Sequence, residues 1–181
     1  MTRRRTLTVG ALAVIGIAAA SAADWQAKLI WNATASAPVG FYTVEPADGI
    51  EVPELVAVMP PEPLGAFMVE RGYIARGVPL LKRVLGLPGH RVCRLRSTIT
   101  VDGIEMGEAL ERDRQGRDLP VWHGCRVIGD GQLFLMNWKV RDSLDGRYFG
   151  PIPAASVIGR AVPLWTDEEG VGRYEWRAPT H

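Results

Sequence analysis

Ser97-Thr98-Ile99-Thr100-Val101-Asp102-Gly103-Ile104-Glu105-Met106 sets two short β-forming runs on either side of Asp102-Gly103. A two-residue turn between antiparallel strands needs positive φ at both central positions, which an Asp-Gly pair adopts readily. The stretch therefore predicts a β-hairpin. Moving outward, residues 54–59, 66–74 and 79–85 read as strands, followed by a turn at Leu87-Pro88-Gly89. Residues 132–137 and 156–164 read as two further strands, and residues 108–120, with charges of both signs, as an exposed loop. Thirteen prolines and twenty glycines favour strands joined by turns, and there is no internal repeat or long amphipathic helix. The expected fold is mainly β. It has an antiparallel sheet domain over residues 24–181, a small inserted β subdomain at about residues 93–129, and one N-terminal transmembrane or signal helix within residues 1–23.

The 181 residues are 47% apolar and 23% charged, which excludes disorder, collagen and a polytopic membrane protein. A net charge of +1 gives no basic footprint for nucleic acid. Arg3, Arg4 and Arg5 precede the uncharged residues 7–23. As a helix that stretch would rise roughly 25 Å, against a hydrocarbon core of ~30 Å. It suits a short signal-anchor or the apolar part of a cleaved signal peptide, and Ala20-Ser21-Ala22 has the small-x-small form of a cleavage site. The arginines also loosely match a twin-arginine signal. Each reading keeps the arginines inside and carries everything after Ala23 across. A buried soluble helix is the alternative. Residues 24–31 read as an amphipathic connector near the membrane surface.

Export would let the only cysteines, Cys93 and Cys125, pair in a disulfide worth ~3–4 kcal/mol; the alternative is two buried thiols. Neither they nor any other cluster reads as a metal site.

No GxSxG, HExxH, GxxxxGK[ST] or GxGxxG motif is present. His90, His123 and His181 sit in turns or at the terminus, and nothing marks one of them as a triad base. Among the five serines, Ser36 lies in Asn32-Ala33-Thr34-Ala35-Ser36-Ala37-Pro38-Val39-Gly40-Phe41-Tyr42. Its small neighbours would let a substrate backbone approach the hydroxyl, although a surface-loop serine fits as well. A serine hydroxyl needs a base. Without a marked histidine, a lysine neutralised by burial is the next candidate. Leu80-Leu81-Lys82-Arg83-Val84-Leu85 supplies one: strand alternation places Lys82 between Leu80 and Val84. Moving its pKa from ~10.4 into the 7–8 range corresponds to ~3–4 kcal/mol of desolvation. Arg83 cannot deprotonate usefully. A lysine snorkelling from an edge strand is the alternative. In the segment from Asn137 to Gly150, alternation would point Ser143, Asp145 and Arg147 one way. Ser143 could hold an amine there, and Asp145 with Arg147 could stiffen the loop or form an ordinary surface ion pair.

Taken in order, three segments resemble the signal peptidase I superfamily, in particular the conjugative-transfer peptidases called TraF. These are Ser36-x-Pro38-x-Gly40-x-Tyr42, then Gly77-Val78-Pro79-Leu80-Leu81-Lys82-Arg83-Val84 with Leu87-Pro88-Gly89, then Ser143-Leu144-Asp145-Gly146-Arg147-Tyr148-Phe149-Gly150. The resemblance implies a signal-peptidase-like β domain and a Ser/Lys dyad with Ser36 as nucleophile and Lys82 as base. It implies an oxyanion hole from the Ser36 N–H and the Thr34 hydroxyl, with Ser143 orienting Lys82, and Asp145 and Arg147 supporting the wall. No cofactor is expected. Its implied partner is an exported precursor, a pilin-like subunit, processed at the inner membrane on the periplasmic side within a secretion or conjugation machinery; some members join the new ends into a circle. Ala37 stands where general signal peptidases carry methionine, Gly146 replaces the second serine of the last box, and the Gly-Asp-Asn lead is reduced to Asn137. A general signal peptidase and a non-catalytic membrane-tethered scaffold are the competing readings.

Overall fold

A computed structural model describes Arg5, residues 8–15 and residues 28–179. Residues 8–15 are helical. Among the described residues no helix is long and apolar enough to cross a membrane. Most of the apolar stretch 7–23, the cleavage-like Ala20-Ser21-Ala22, residues 24–27 of the expected connector, and His181 lie outside the described residues.

Two antiparallel sheets make up the rest. The larger contains β1 (Leu29–Asn32), β2 (Val39–Glu45), β11 (Val157–Asp167), β3 (Leu55–Val58), β4 (Leu80–Gly86), β9 (Gln132–Leu135) and β10 (Ile152–Pro153) in that spatial order, with β12 (Glu175–Trp176) on β11. The second has the order β7 (Ile104–Glu108), β6 (Thr98–Val101), β5 (Arg91–Leu95) and β8 (Gly124–Val127). The hairpin is present: Val101 pairs Ile104, and Asp102 and Gly103 have φ of 49° and 81°. Cys93 and Cys125 stand directly opposite on β5 and β8, where they form a disulfide.

Two expectations are corrected. Residues 66–74 hold no strand; the segment belongs to helix α1 (Leu64–Glu70) and the turn after it. Leu64, Phe67 and Met68 fall at helical spacing, three prolines just upstream disfavour an extended central strand, and Met68 is buried. Residues 108–120 are not simply an exposed loop. Ala109 and Leu119 are buried against Tyr148, and Asp113 accepts hydrogen bonds from the Tyr73 hydroxyl and from Arg117. In addition, residues 29–31 of the expected connector are strand rather than connector.

β3 and β4 are packed on both faces. Leu55, Ala57 and Leu81 join Ile30, Ala37 and Tyr42 in one apolar cluster, whereas Val56, Val58 and Val84 join Leu133 and Leu135 in another. A third cluster, including Val92, Ile99, Trp122 and Phe134, joins the two sheets. At the open edge of the large sheet, Trp31, Phe41, Trp165 and Trp176 stand in register across β1, β2, β11 and β12. Directly opposed residues share a face, and these three tryptophans are 46%, 43% and 67% exposed.

Replacing Cys93 and Cys125 together by serine is expected to lower the unfolding free energy by ~3 kcal/mol. The shift in urea midpoint measures it, and an unchanged midpoint would contradict a stabilising crosslink.

Candidate active site

Ser36 lies in the turn joining β1 to β2, and Asn32 shapes that turn. The Asn32 side chain is buried; its Nδ2 lies 2.9, 2.9 and 3.0 Å from the carbonyl oxygens of Thr34, Ala37 and Pro38. Its Oδ1 accepts from the Thr34 N–H at 3.2 Å and from the Thr34 hydroxyl at 2.9 Å. The Tyr42 hydroxyl donates to Pro38 O at 2.7 Å, securing the far side of the turn. Gly40 has φ of 150°, and a Cβ there would lie 2.2 Å from the Trp165 carbonyl, so β2 can approach β11 only with glycine at this place.

The Ser36 hydroxyl lies 3.1 Å from that of Thr34. Because the Thr34 hydrogen goes to Asn32 Oδ1, which can only accept, Ser36 is the donor in this contact. The expected oxyanion donor, Thr34, therefore spends its hydrogen on Asn32 in this state, and its hydroxyl must rotate before it can serve a substrate oxygen.

Lys82 is in the middle of β4, directly opposite Val56 on β3, and 5% exposed. Its Nζ donates to Ser143 Oγ at 2.8 Å. Burial lowers its pKa from 10.5 to about 8; Asp145 pulls it upward and Arg147 pushes it down. The edge-strand, snorkelling alternative is thereby removed, since β3 and β9 flank β4 on both sides.

Asp145 and Arg147 are buried, which removes the surface-pair alternative. Asp145 caps the short helix α2 (Gly146–Phe149) by accepting from the Arg147 N–H. The Arg147 guanidinium returns two bonds to the same carboxylate at 2.9 and 2.8 Å, and donates to the carbonyls of Asn137, Val140 and Arg141. The expected alternation is replaced by a turn and a helical turn, with Ser143 bonded to Lys82 and the ion pair bracing the loop behind it. Gly146 has a steric reason: a Cβ would lie 2.6 Å from the Leu135 carbonyl oxygen and 2.6 Å from the Phe134 ring.

Two clefts meet at Ser36. One of about 470 Å³ is lined by Thr34, Ser36, Tyr73, Leu80, Lys82 and Ser143. The other, about 480 Å³, is lined by Ser36, Ala37, Leu55, Arg83, Trp138 and Glu168. Neither His90 nor His123 lines either cleft. Among the described residues no group of three or more His, Cys, Asp or Glu side chains could hold a metal ion. The sequence alone does not mark Asn32, and it marks Asn137 only as the remnant of a motif. Position is their one signal: Asn32 is the last residue of β1 and Asn137 lies two residues past β9, each at the entry to a candidate segment.

A family model described as "Signal peptidase, peptidase S26" matches residues 2–165. A conjugal transfer protein TraF of Agrobacterium fabrum is 37% identical over 147 residues, spanning 75% of this chain and 81% of that protein. A probable conjugal transfer protein TraF of Sinorhizobium fredii is 32% identical over 171 residues, spanning 89% and 86%. A plasmid transfer protein TraF of Escherichia coli is 32% identical over 167 residues, spanning 84% and 93%.

Two predictions follow from the packing around Lys82. Gly146→Ser is expected to destabilise the protein by ~1–3 kcal/mol in a denaturant titration, through overpacking against β9; a neutral result would contradict the close approach. Because the folded pKa of Lys82 is about 8 and its ordinary value 10.5, the unfolded chain binds the proton more tightly. The fold is thus penalised by up to ~3 kcal/mol below the lower value, and the penalty fades as pH rises through the interval. Lys82→Met should therefore raise stability at pH 7, with a gain that shrinks between about 8 and 10.5. A gain independent of pH would contradict the burial argument.

Proposed function

The chain belongs to the signal peptidase family, peptidase S26, with TraF conjugal transfer proteins among its relatives, and on that premise we propose that it is a serine endopeptidase with a Ser36–Lys82 dyad. The observation that carries the reading is Lys82: a buried amine, hydrogen-bonded to a neutral hydroxyl, that lines one cleft together with Ser36.

In this mechanism a neutral Lys82 Nζ takes the Ser36 proton as Ser36 Oγ attacks the scissile carbonyl carbon. The tetrahedral oxyanion is met by the Ser36 N–H and by the Thr34 hydroxyl once it turns away from Asn32; such donors are worth ~2.7–4 kcal/mol each. Collapse breaks the C–N bond, the Lys82 ammonium protonates the leaving amine, and an ester remains on Ser36. Lys82 then deprotonates a water, or an incoming amine, to release the acyl group. Ser143 keeps Nζ aimed into the cleft. Asp145 and Arg147 keep Ser143 in place, and their charges act on the amine in opposite directions.

The names of the relatives support a substrate within conjugal transfer, and the reading extends to an exported, pilin-like precursor. Location at the inner membrane, with the peptidase domain on the periplasmic side, is supported by the arginines before residues 7–23 and by the exposed Trp31, Trp165 and Trp176, in register with the half-buried Phe41. Indole rings favour the membrane–water boundary.

An alkyl fluorophosphonate should phosphonylate Ser36, and Ser36→Ala, Lys82→Ala and Lys82→Arg should each abolish labelling in folded protein, read by intact mass. The labelling rate should climb with pH around a midpoint near 8, because the base works only when neutral. Undiminished labelling of either alanine variant, or a flat profile from neutral to alkaline pH, would overturn the dyad.

A further inference from the structure

The ladder between β4 and β9 ends at Asn137. Met136 N–H still donates to Arg83 O at 2.9 Å, and from there the Asn137 side chain takes over the pairing. Its Nδ2 donates to Leu81 O at 3.1 Å, and its Oδ1 accepts from the Arg83 N–H at 2.9 Å. A residue on a parallel strand opposite Lys82 would bond the same two groups, so the side-chain amide stands in for a peptide unit. Nδ2 also donates to Ser36 O, at 2.6 Å. Two carbonyls on one side and an N–H on the other leave only one orientation for the amide. The backbone of Asn137 is engaged too: its N–H donates to Asp145 Oδ2 at 3.1 Å, and its carbonyl accepts from Arg147 Nη2 at 3.2 Å.

A single residue, 4% exposed, thereby joins the peptide of Ser36 to both neighbours of Lys82 in sequence and to the ion pair behind Ser143. No other hydrogen bond described between the Ser36 turn and β4 runs so directly. Ala37 packs into the apolar cluster with Leu81, but Ala33 and Ala35 on the other side of Ser36 are exposed and offer no polar hold on its peptide. Asn32 fixes the turn internally, at the carbonyls of Thr34, Ala37 and Pro38; the Ser36 carbonyl is left to Asn137.

From this geometry we infer that Asn137 is a positioning residue for the Ser36–Lys82 pair, setting the distance between hydroxyl and amine by tying the Ser36 peptide to the β4 backbone on either side of Lys82. The inference rests on the peptidase reading above. Asn137 touches neither the amine nor the hydroxyl; it acts through the Ser36 peptide. A misplacement of ~1 Å at a reacting pair lowers rate by about 10²-fold, so the tie has a kinetic signature distinct from loss of fold.

The test uses the full chain and an alkyl fluorophosphonate, so no natural substrate is needed. In the labelling step the Ser36 Oγ–P bond forms, the P–F bond breaks, fluoride leaves and the serine proton passes to Lys82. For Asn137→Ala the limiting labelling rate should fall about 10²-fold, with the reagent's half-saturation concentration unchanged. Asn137→Ser, which keeps one short donor, is the second variant should the alanine protein fail to fold, and its rate should lie between the two. Asn137→Asp keeps the volume but sets carboxylate oxygens against Ser36 O and Leu81 O. It also adds an anion near an amine already faced by Asp145 and Arg147, in a cleft lined by Asp113, Arg114, Arg117 and Asp142. Its residual labelling should be slower and begin at higher pH than in the wild type. Folded variants that label within twofold of wild type, or whose loss tracks only the unfolded fraction with an unmoved pH midpoint, would overturn the positioning role. Ser36→Ala is run alongside. If it labels as fast as wild type, the peptidase reading falls and takes this inference with it; if it does not label while the Asn137 variants behave as wild type, only the inference falls.

Discussion

Holding an amine in a packed strand without a carboxylate to keep it charged is the constraint on which this structure turns. Lys82 faces Val56 across β3 and sits on the face that carries Val84. Its hydrogen bond goes to Ser143, a neutral group. Asp145 draws the amine toward its charged form, since an opposite charge close by favours the ammonium. Arg147 counters this in part by bonding both carboxylate oxygens and pushing the amine's pKa down, and burial does the rest. The buried ion pair therefore does more than brace the Ser143 segment: Arg147 offsets part of the pull of Asp145 on Lys82, and burial outweighs what is left.

The other half of the site depends on a hairpin turn being held still without bulk. Asn32 and Asn137 clamp the carbonyls of residues 34, 36, 37 and 38, and Tyr42 adds a second bond to Pro38. The resting hydroxyl chain runs from Ser36 to Thr34 to Asn32, away from Lys82. In the proposed mechanism both hydroxyls would turn out of this chain, Ser36 toward the amine and Thr34 toward the substrate oxygen.

Much of this was legible beforehand, and the reasons are particular. The Asp102-Gly103 hairpin follows from φ requirements local to two residues. Lys82 could be placed between Leu80 and Val84 because strand alternation is a short-range rule, and β4 obeys it. By contrast, the sequence of α1 also fits a strand, because residues 66–74 are apolar enough to satisfy either period over so short a window. The Asp145–Arg147 pair was open between surface and interior since burial depends on distant partners: Asn137 and Val140 on one side, Leu135 and Phe134 packed against Gly146 on the other. Asn32 and Asn137 carry the least sequence signal. Their roles arise from carbonyls brought together by the turn and by β4, and asparagine at a strand end ordinarily signifies nothing more than a turn.

The chain has three lysines, Lys28, Lys82 and Lys139, so a carbon-13 label at lysine Cε gives a readily assigned titration by nuclear magnetic resonance, with Lys82→Met identifying the buried signal. The account predicts one lysine with a midpoint near 8, well below the ordinary 10.5. A Lys82 signal titrating at the ordinary value would contradict it, because an amine that stays charged cannot take the proton of Ser36.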